Sequence, residues 1–317
     1  MSGATRLAVF AVGLVALAAA GFGIGALIDA DHMGDDSGMG TMHGAGNAGH
    51  GAGPAMHGEE GGAMHGEQGG GAMHEEGGHG GMQMDAVRGL GVAENGMRLV
   101  VADPDFAGGA SERLSFQVVG EDGVPLTAFD LTHTKRMHVI VVRRDLTGFQ
   151  HLHPEMAPDG TWTVPLRLEE AGTHRVFADF SHDGEATTLA DDLRVDGDAD
   201  LHDLPALATL ALSQPGAYEV TLRAGDPLAG EGANLRFTVS REGRAAALQP
   251  YLGAGGHLVA LREGDLAFLH VHPTGDGGDD GSIEFEATFP TAGRYRLFLQ
   301  FVVDGELQTV AFTEEVH

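Results

Sequence analysis

Three histidines recur at one spacing in two places. His138 is followed thirteen residues later by His151 and then by His153, and His257, His270 and His272 repeat the interval 119 residues further on. Each set closes as His-x-His-Pro, on Pro154 and Pro273. Neutral imidazoles cluster at little cost and suit copper, zinc and nickel, whereas protonated ones repel. A lone histidine is more often satisfied by a backbone carbonyl in a purely structural role. Two sets of three, each on one face, favour a metal site in each copy, with binding expected to weaken below about pH 6.

Strands are what would bring each set to one face. Alternate strand residues point the same way, so His151 matches His153 and His270 matches His272. In HLVALREGDLAFLHVH, a hairpin centred on Gly264-Asp265 pairs Arg262 with Ala267, Val259 with His270, and His257 with His272. The same register pairs Ile140 with His151 and His138 with His153; a slip by one residue would separate the rings. Phe149 and Phe268 share that face and offer it an apolar wall.

The surrounding sequence reads as all-β. Short apolar runs broken by Gly, Asp and Pro place strands at 97–102, 113–119, 137–143, 149–153, 161–168 and 174–180, and no long helical period appears. The second half repeats the first: AGTHRVFADFSHDGE at 171–185 aligns with AGRYRLFLQFVVDGE at 292–306, and RLSFQVVGEDG at 113–123 with LRFTVSREG at 235–243. Two tandem β-sandwich domains are therefore expected, at 88–197 and 213–317. The connector, 198–212, contains LPALATLAL, which suits a short helix or an entering strand. The duplication also filters candidates. His174 and His182 become Tyr295 and Val303, and His133, Met137 and Met156 have no counterparts.

Residues 31–87 form a different kind of segment. Met-His recurs at Met42-His43, Met56-His57, Met64-His65 and Met73-His74. Seven of the eighteen histidines and eight of the twelve methionines fall within 31–84, which has no Leu, Ile, Val or aromatic residue. Such a stretch cannot bury enough apolar surface to offset ordering its backbone, so it is expected to be a disordered linker spanning about 40 Å. Gly and Glu alone would serve as a spacer. Thioether sulfur beside imidazole adds soft ligands for Cu(I) or Ag(I).

Ahead of it, residues 7–28 carry no charge and follow a single Arg6. Twenty-two apolar residues can cross a bilayer, and the short basic end would stay inside, leaving the bulk extracytoplasmic. A cleavable signal peptide ending near Ala18-Ala19-Ala20 is the competing reading, giving a secreted protein. The apolar run continues past those alanines, which favours an uncleaved signal anchor in residues 1–30. The formal charge of −28 argues against nucleic acid and anionic lipid surfaces as partners and draws cations. The absence of cysteine excludes disulfides, thiolate metal sites and cysteine nucleophiles.

With these residues in hand, the chain resembles membrane-anchored or secreted bacterial proteins of the actinobacterial type. These carry tandem immunoglobulin-like domains with His…His-x-His-Pro, similar to small periplasmic copper-binding, cupredoxin-like sandwiches. Its linker resembles Met/His-rich copper- and silver-binding segments. The resemblance implies an extracytoplasmic heavy-metal protein, a buffer, chaperone or resistance factor, with copper as the first expectation and zinc or silver as further ones. A blue-copper electron-transfer site is excluded for want of its Cys. Two other classes stay open: a metal-dependent enzyme using open three-histidine sites, and a non-metal envelope or adhesion module. No carboxylate or tyrosine is repeated beside both triads as a base, which counts against the enzyme.

Overall fold

Alternation in RLSFQVV does what its period of two demands. Leu114, Phe116 and Val118 turn into a core while their neighbours turn out. The computed structural model describes residues 87–213, 218–271, 273–275, 277–278 and 280–317, and for His270 the backbone alone. The apolar segment of residues 1–30, the Met-His tract and His272 lie outside the described residues. Among the described residues every regular element is a strand, and no helix is long and apolar enough to cross a membrane.

The first copy holds β1 (Ala93–Glu94), β2 (Met97–Val101), β3 (Asp105–Phe106), β4 (Ser111–Val119) and β5 (His138–Arg143). It continues with β6 (Gln150–Leu152), β7 (Glu155–Met156), β8 (Trp162–Arg167), β9 (Gly172–His182) and β10 (Glu185–Val195). One sheet runs β1-β2-β4-β8-β7 and the other β3-β10-β9-β5-β6. Their inner faces meet through Leu114, Phe116, Val139, Val141, Trp162 and Leu189.

The second copy holds β11 (Leu210–Leu212), β12 (Glu219–Arg223), β13 (Gly232–Arg241), β14 (Arg244–Ala245) and β15 (Leu248–Gln249). It ends with β16 (His257–Arg262), β17 (Phe268–Val271), β18 (Ser282–Thr288), β19 (Gly293–Val303) and β20 (Glu306–Val316). One sheet is β11-β12-β13 with β14 and β18 also on β13, and the other is β15-β19-β16-β17 with β20 also on β19. The chain is thus two tandem β-sandwiches, as the sequence predicts.

All six expected strands of the first copy are present. One long strand escapes the sequence pattern: β10, EATTLADDLRV, whose polar outer residues mask its inward Leu189 and Leu193. It joins β9 through Asp183-Gly184, both at positive φ (53° and 81°), the two-residue turn whose twist matches antiparallel strands. Asp304-Gly305 repeats that turn between β19 and β20. The stretch LPALATLAL resolves to a strand, β11, inside the expected connector.

A third apolar cluster belongs to neither sandwich alone. Ile140, Val142, Leu146 and Phe177 from the first copy meet Val259, Leu261, Leu266, Phe268 and Phe298 from the second. The histidine-bearing sheets therefore pack outer face to outer face within one compact unit. This explains why HVIVVR is buried along its whole length and reads as a nearly unbroken apolar run. Phe149 stacks on Phe298 with centroids 4.1 Å apart, and Phe268 stacks on Phe177 at 5.1 Å. Phe268 is the counterpart of Phe149, and Phe298 that of Phe177, so the interface has pseudo-two-fold symmetry.

Candidate metal centre between the two copies

The β5–β6 hairpin has the register that the sequence predicts: Ile140 faces His151 and Val139 faces Leu152. In the second copy Val259 faces His270, and the Arg262 amide donates to the Ala267 carbonyl at 3.0 Å. Both turns are pinned by an Arg–Asp staple that sequence reasoning missed. Arg143 Nε donates to Asp145 Oδ1 at 2.9 Å, and Arg262 Nε to Asp265 Oδ1 at 3.0 Å. The next residue, Leu146 or Leu266, takes a left-handed backbone (φ 65° and 62°) and buries its side chain in the interface.

This frame gathers the first triad. Ring centroids are 5.2 Å apart for His138 and His151, 5.1 Å for His138 and His153, and 4.8 Å for His151 and His153. One ring nitrogen from each lies within 4.8 Å of the others. His138 and His151 are buried and His153 partly so.

Tautomers decide what this cluster can do. His138 Nε2 lies 3.2 Å from the Thr132 carbonyl oxygen, which can only accept, so Nε2 carries the proton and Nδ1 a lone pair. His151 Nδ1 lies 2.7 Å from Gln300 Oε1, whose own Nε2 donates to Thr309 Oγ1 at 3.3 Å. With the amide so oriented, His151 Nδ1 carries the proton and Nε2 a lone pair. His138 Nδ1 and His151 Nε2 approach at 3.0 Å, a spacing that serves a hydrogen bond in one pair of tautomers and two ligands of one cation in the other. The reversed amide would turn the His151 tautomer over and close a neutral hydrogen-bond chain.

The second copy reaches into the same place. His257, 1 % exposed, has its ring 6.3 Å from His138, 6.1 Å from His151 and 5.3 Å from His133. His138 and His257 are counterparts and stack at 30°, so they straddle the pseudo-two-fold axis. Tyr251 lies edge-on to His257 at 5.3 Å, and burial pushes its phenol up, keeping it neutral. His133 and Leu252 occupy matching left-handed positions in two loops closed by the Thr132–Lys135 and Tyr251–Ala254 bridges.

Sequence reasoning missed Gln300, Tyr251 and His133 as cluster members. Gln300 had a signal: it is the polar residue in LFLQF, where the first copy has Asp179 in VFADF. Each stands beside the first histidine of its copy, His138 opposite Asp179 and His257 opposite Gln300. The Asp179 carboxylate accepts from Thr188 Oγ1 at 2.7 Å and lies on the cluster face of the sheet. The ring of His270, the whole of His272, and Met42, His43, Met56, His57, Met64, His65, Met73 and His74 lie outside the described residues. His174 and His182 do not join the cluster. His182 Nδ1 donates to the Ala128 carbonyl at 2.9 Å, and His174, beside Arg143, is held by burial below the usual histidine range.

A family model described as "Domain of unknown function (DUF8832)" matches residues 92–197 and again 213–317. No curated protein matches the chain. Among solved structures it is similar to the FdeC adhesin of Escherichia coli, at 16% identity over 71% of this chain and 65% of that one, with a TM-score of 0.25. It is also similar to Salmonella alpha-2-macroglobulin reacted with methylamine, at 14% identity over 74% of this chain and 15% of that one, TM-score 0.26. The fibronectin(III)-like modules of Clostridium thermocellum CbhA match at 10% identity over 69% and 92%, TM-score 0.19. Likeness at these scores carries no argument about function.

Proposed function

The chain belongs to the DUF8832 family and carries its domain twice, and from that premise we propose that it is an extracytoplasmic transition-metal-binding protein, a buffer or chaperone for copper first and zinc second. The observation that carries this reading is the convergence of His138, His151 and His153, one ring nitrogen of each within 4.8 Å of the others, with His138 Nδ1 and His151 Nε2 3.0 Å apart. Two nitrogens about 2.0–2.1 Å from one ion are about 2.9 Å apart at a right angle and about 3.3 Å apart in a tetrahedron. The observed spacing suits both, so Cu(II) and Zn(II) are each within a few tenths of an ångström. His153 supplies a third nitrogen, Asp179 lies on the same face, and the charge of −28 concentrates cations.

The Met-His tract extends the reading. Its thioethers suit Cu(I) and Ag(I), so it serves as a capture segment for softer ions, on a linker that the apolar residues 7–28 would tether to the membrane.

A second reading is favoured by one observation. The Phe149–Phe298 and Phe177–Phe268 stacks hold the copies together without any ion, as an envelope or adhesion module would require. Zn(II) and Cu(II) titration of the chain and of its His151→Ala/His153→Ala variant separates the two. Loss of the tight component in the variant is expected. Equal uptake by both proteins would leave the histidines a structural role and the module reading in place.

A further inference from the structure

Resting on the metal reading, we infer that the two copies build one interdomain centre, in which the second copy supplies Gln300 and His257 to the ion that His138, His151 and His153 hold. A bound ion then joins the sandwiches as well as occupying one of them.

Four observations support this. His151 turns Nε2 toward His138 and Nδ1 toward Gln300 Oε1, 2.7 Å away, on a side chain 149 residues distant in the other sandwich. Gln300 is itself 5 % exposed and hydrogen-bonded to Thr309 Oγ1 at 3.3 Å, so its amide is held against the His151 ring. The His257 ring borders the triad, 6.3 Å from His138 and 6.1 Å from His151 where the triad rings are 4.8–5.2 Å apart, and it stacks on its own counterpart His138. Finally, the aromatic pairs around the cluster obey the pseudo-two-fold relation, so the faces are docked in a fixed register. A hydrogen-bonded outer partner fixes a ligand's tautomer and orientation and raises its basicity. Gln300 is thus a positioning residue for His151, and ion affinity is linked to domain docking: whatever separates the faces removes the acceptor that aims His151.

The test is Cu(II) titration of the full chain with its electron paramagnetic resonance spectrum, beside Gln300→Leu, Gln300→Glu and His257→Ala. Gln300→Leu removes the acceptor and should weaken the histidine site by about 10–100-fold. Gln300→Glu keeps the size and strengthens the acceptor, so it should bind at least as tightly as the parent. His257→Ala should alter the nitrogen hyperfine pattern. Circular dichroism reports folding, and if the leucine variant does not fold, the glutamate variant still decides: weaker binding there overturns the inference. Unchanged affinity and spectrum in Gln300→Leu and His257→Ala, with a parent that binds through His151 and His153, would overturn the shared centre and leave the metal reading standing. A parent that binds no ion through its histidines would overturn both.

Discussion

His153 is the residue whose removal isolates the chemistry from the scaffold. It follows β6, partly exposed, so replacing it leaves the β5–β6 ladder and the apolar interface in place. His153→Ala should weaken Zn(II) binding at neutral pH by more than the about 10–100-fold typical of losing an outer partner. His174→Ala, changed at a buried histidine outside the cluster, should leave Zn(II) binding unchanged. Calorimetric titration of both variants checks this, and equal losses would assign the effect to general destabilisation. The triad was legible because a duplicated chain writes it twice, and a period of two then places all three rings on one face. Gln300 was not legible as a partner: it lies 149 residues from His151, and no local pattern states which sheet faces will dock. The position matching His133 holds Leu252 rather than a histidine, so the filter that isolated the triads removed it.

At the scale of elements, the two histidine hairpins depend on their Arg–Asp turns. Burial alone would raise the Asp145 carboxyl, but donors from Arg143, the His202 amide and Thr147 outweigh it and hold it well below the usual carboxylate range. A carboxyl whose pKa is depressed on folding contributes stability that is present above the unfolded value, near pH 4, and is lost as pH falls toward the folded one. The Arg143 and Asp145 side chains are each only 3 % exposed, and Asp145→Ala leaves Arg143 with the more exposed Glu170 and the Asp200 carbonyl as partners, so it should cost ~2 kcal/mol at pH 7. Asp265 is 42 % exposed, and Asp265→Ala should cost about 1 kcal/mol or less. Urea denaturation at pH 7 and in the acid limb checks both, and the Asp145 difference should narrow as pH falls below about 4. The strands of these hairpins could be read from the sequence because apolar alternation sets them. The staples could not, since Arg, Asp and Leu near a turn look like ordinary surface residues until Leu146 and Leu266 are seen buried at positive φ.

At the largest scale, the described residues form two sandwiches docked through the faces that carry their histidines. The sequence predicts the two domains from the repeat but gives no sign of their docking, apart from the unbroken apolar run HVIVVR, which has no exposed face to spare. Truncating Phe298, which stacks on Phe149, should cost ~3 kcal/mol and weaken Zn(II) binding with it, because docking positions Gln300. Phe177→Ala, its counterpart, should behave alike; unfolding and titration of both variants checks the pseudo-symmetry. The central claim is that the interdomain histidines hold a transition metal. Its most direct test is Zn(II) and Cu(II) uptake at neutral pH by the chain lacking residues 31–84, which removes the competing Met-His tract, beside the same chain with His138→Ala and His151→Ala. Tight uptake by the first and its loss in the second, with the β fold intact by circular dichroism, is the expected result. No tight uptake by the parent, or equal uptake by the two, would contradict it.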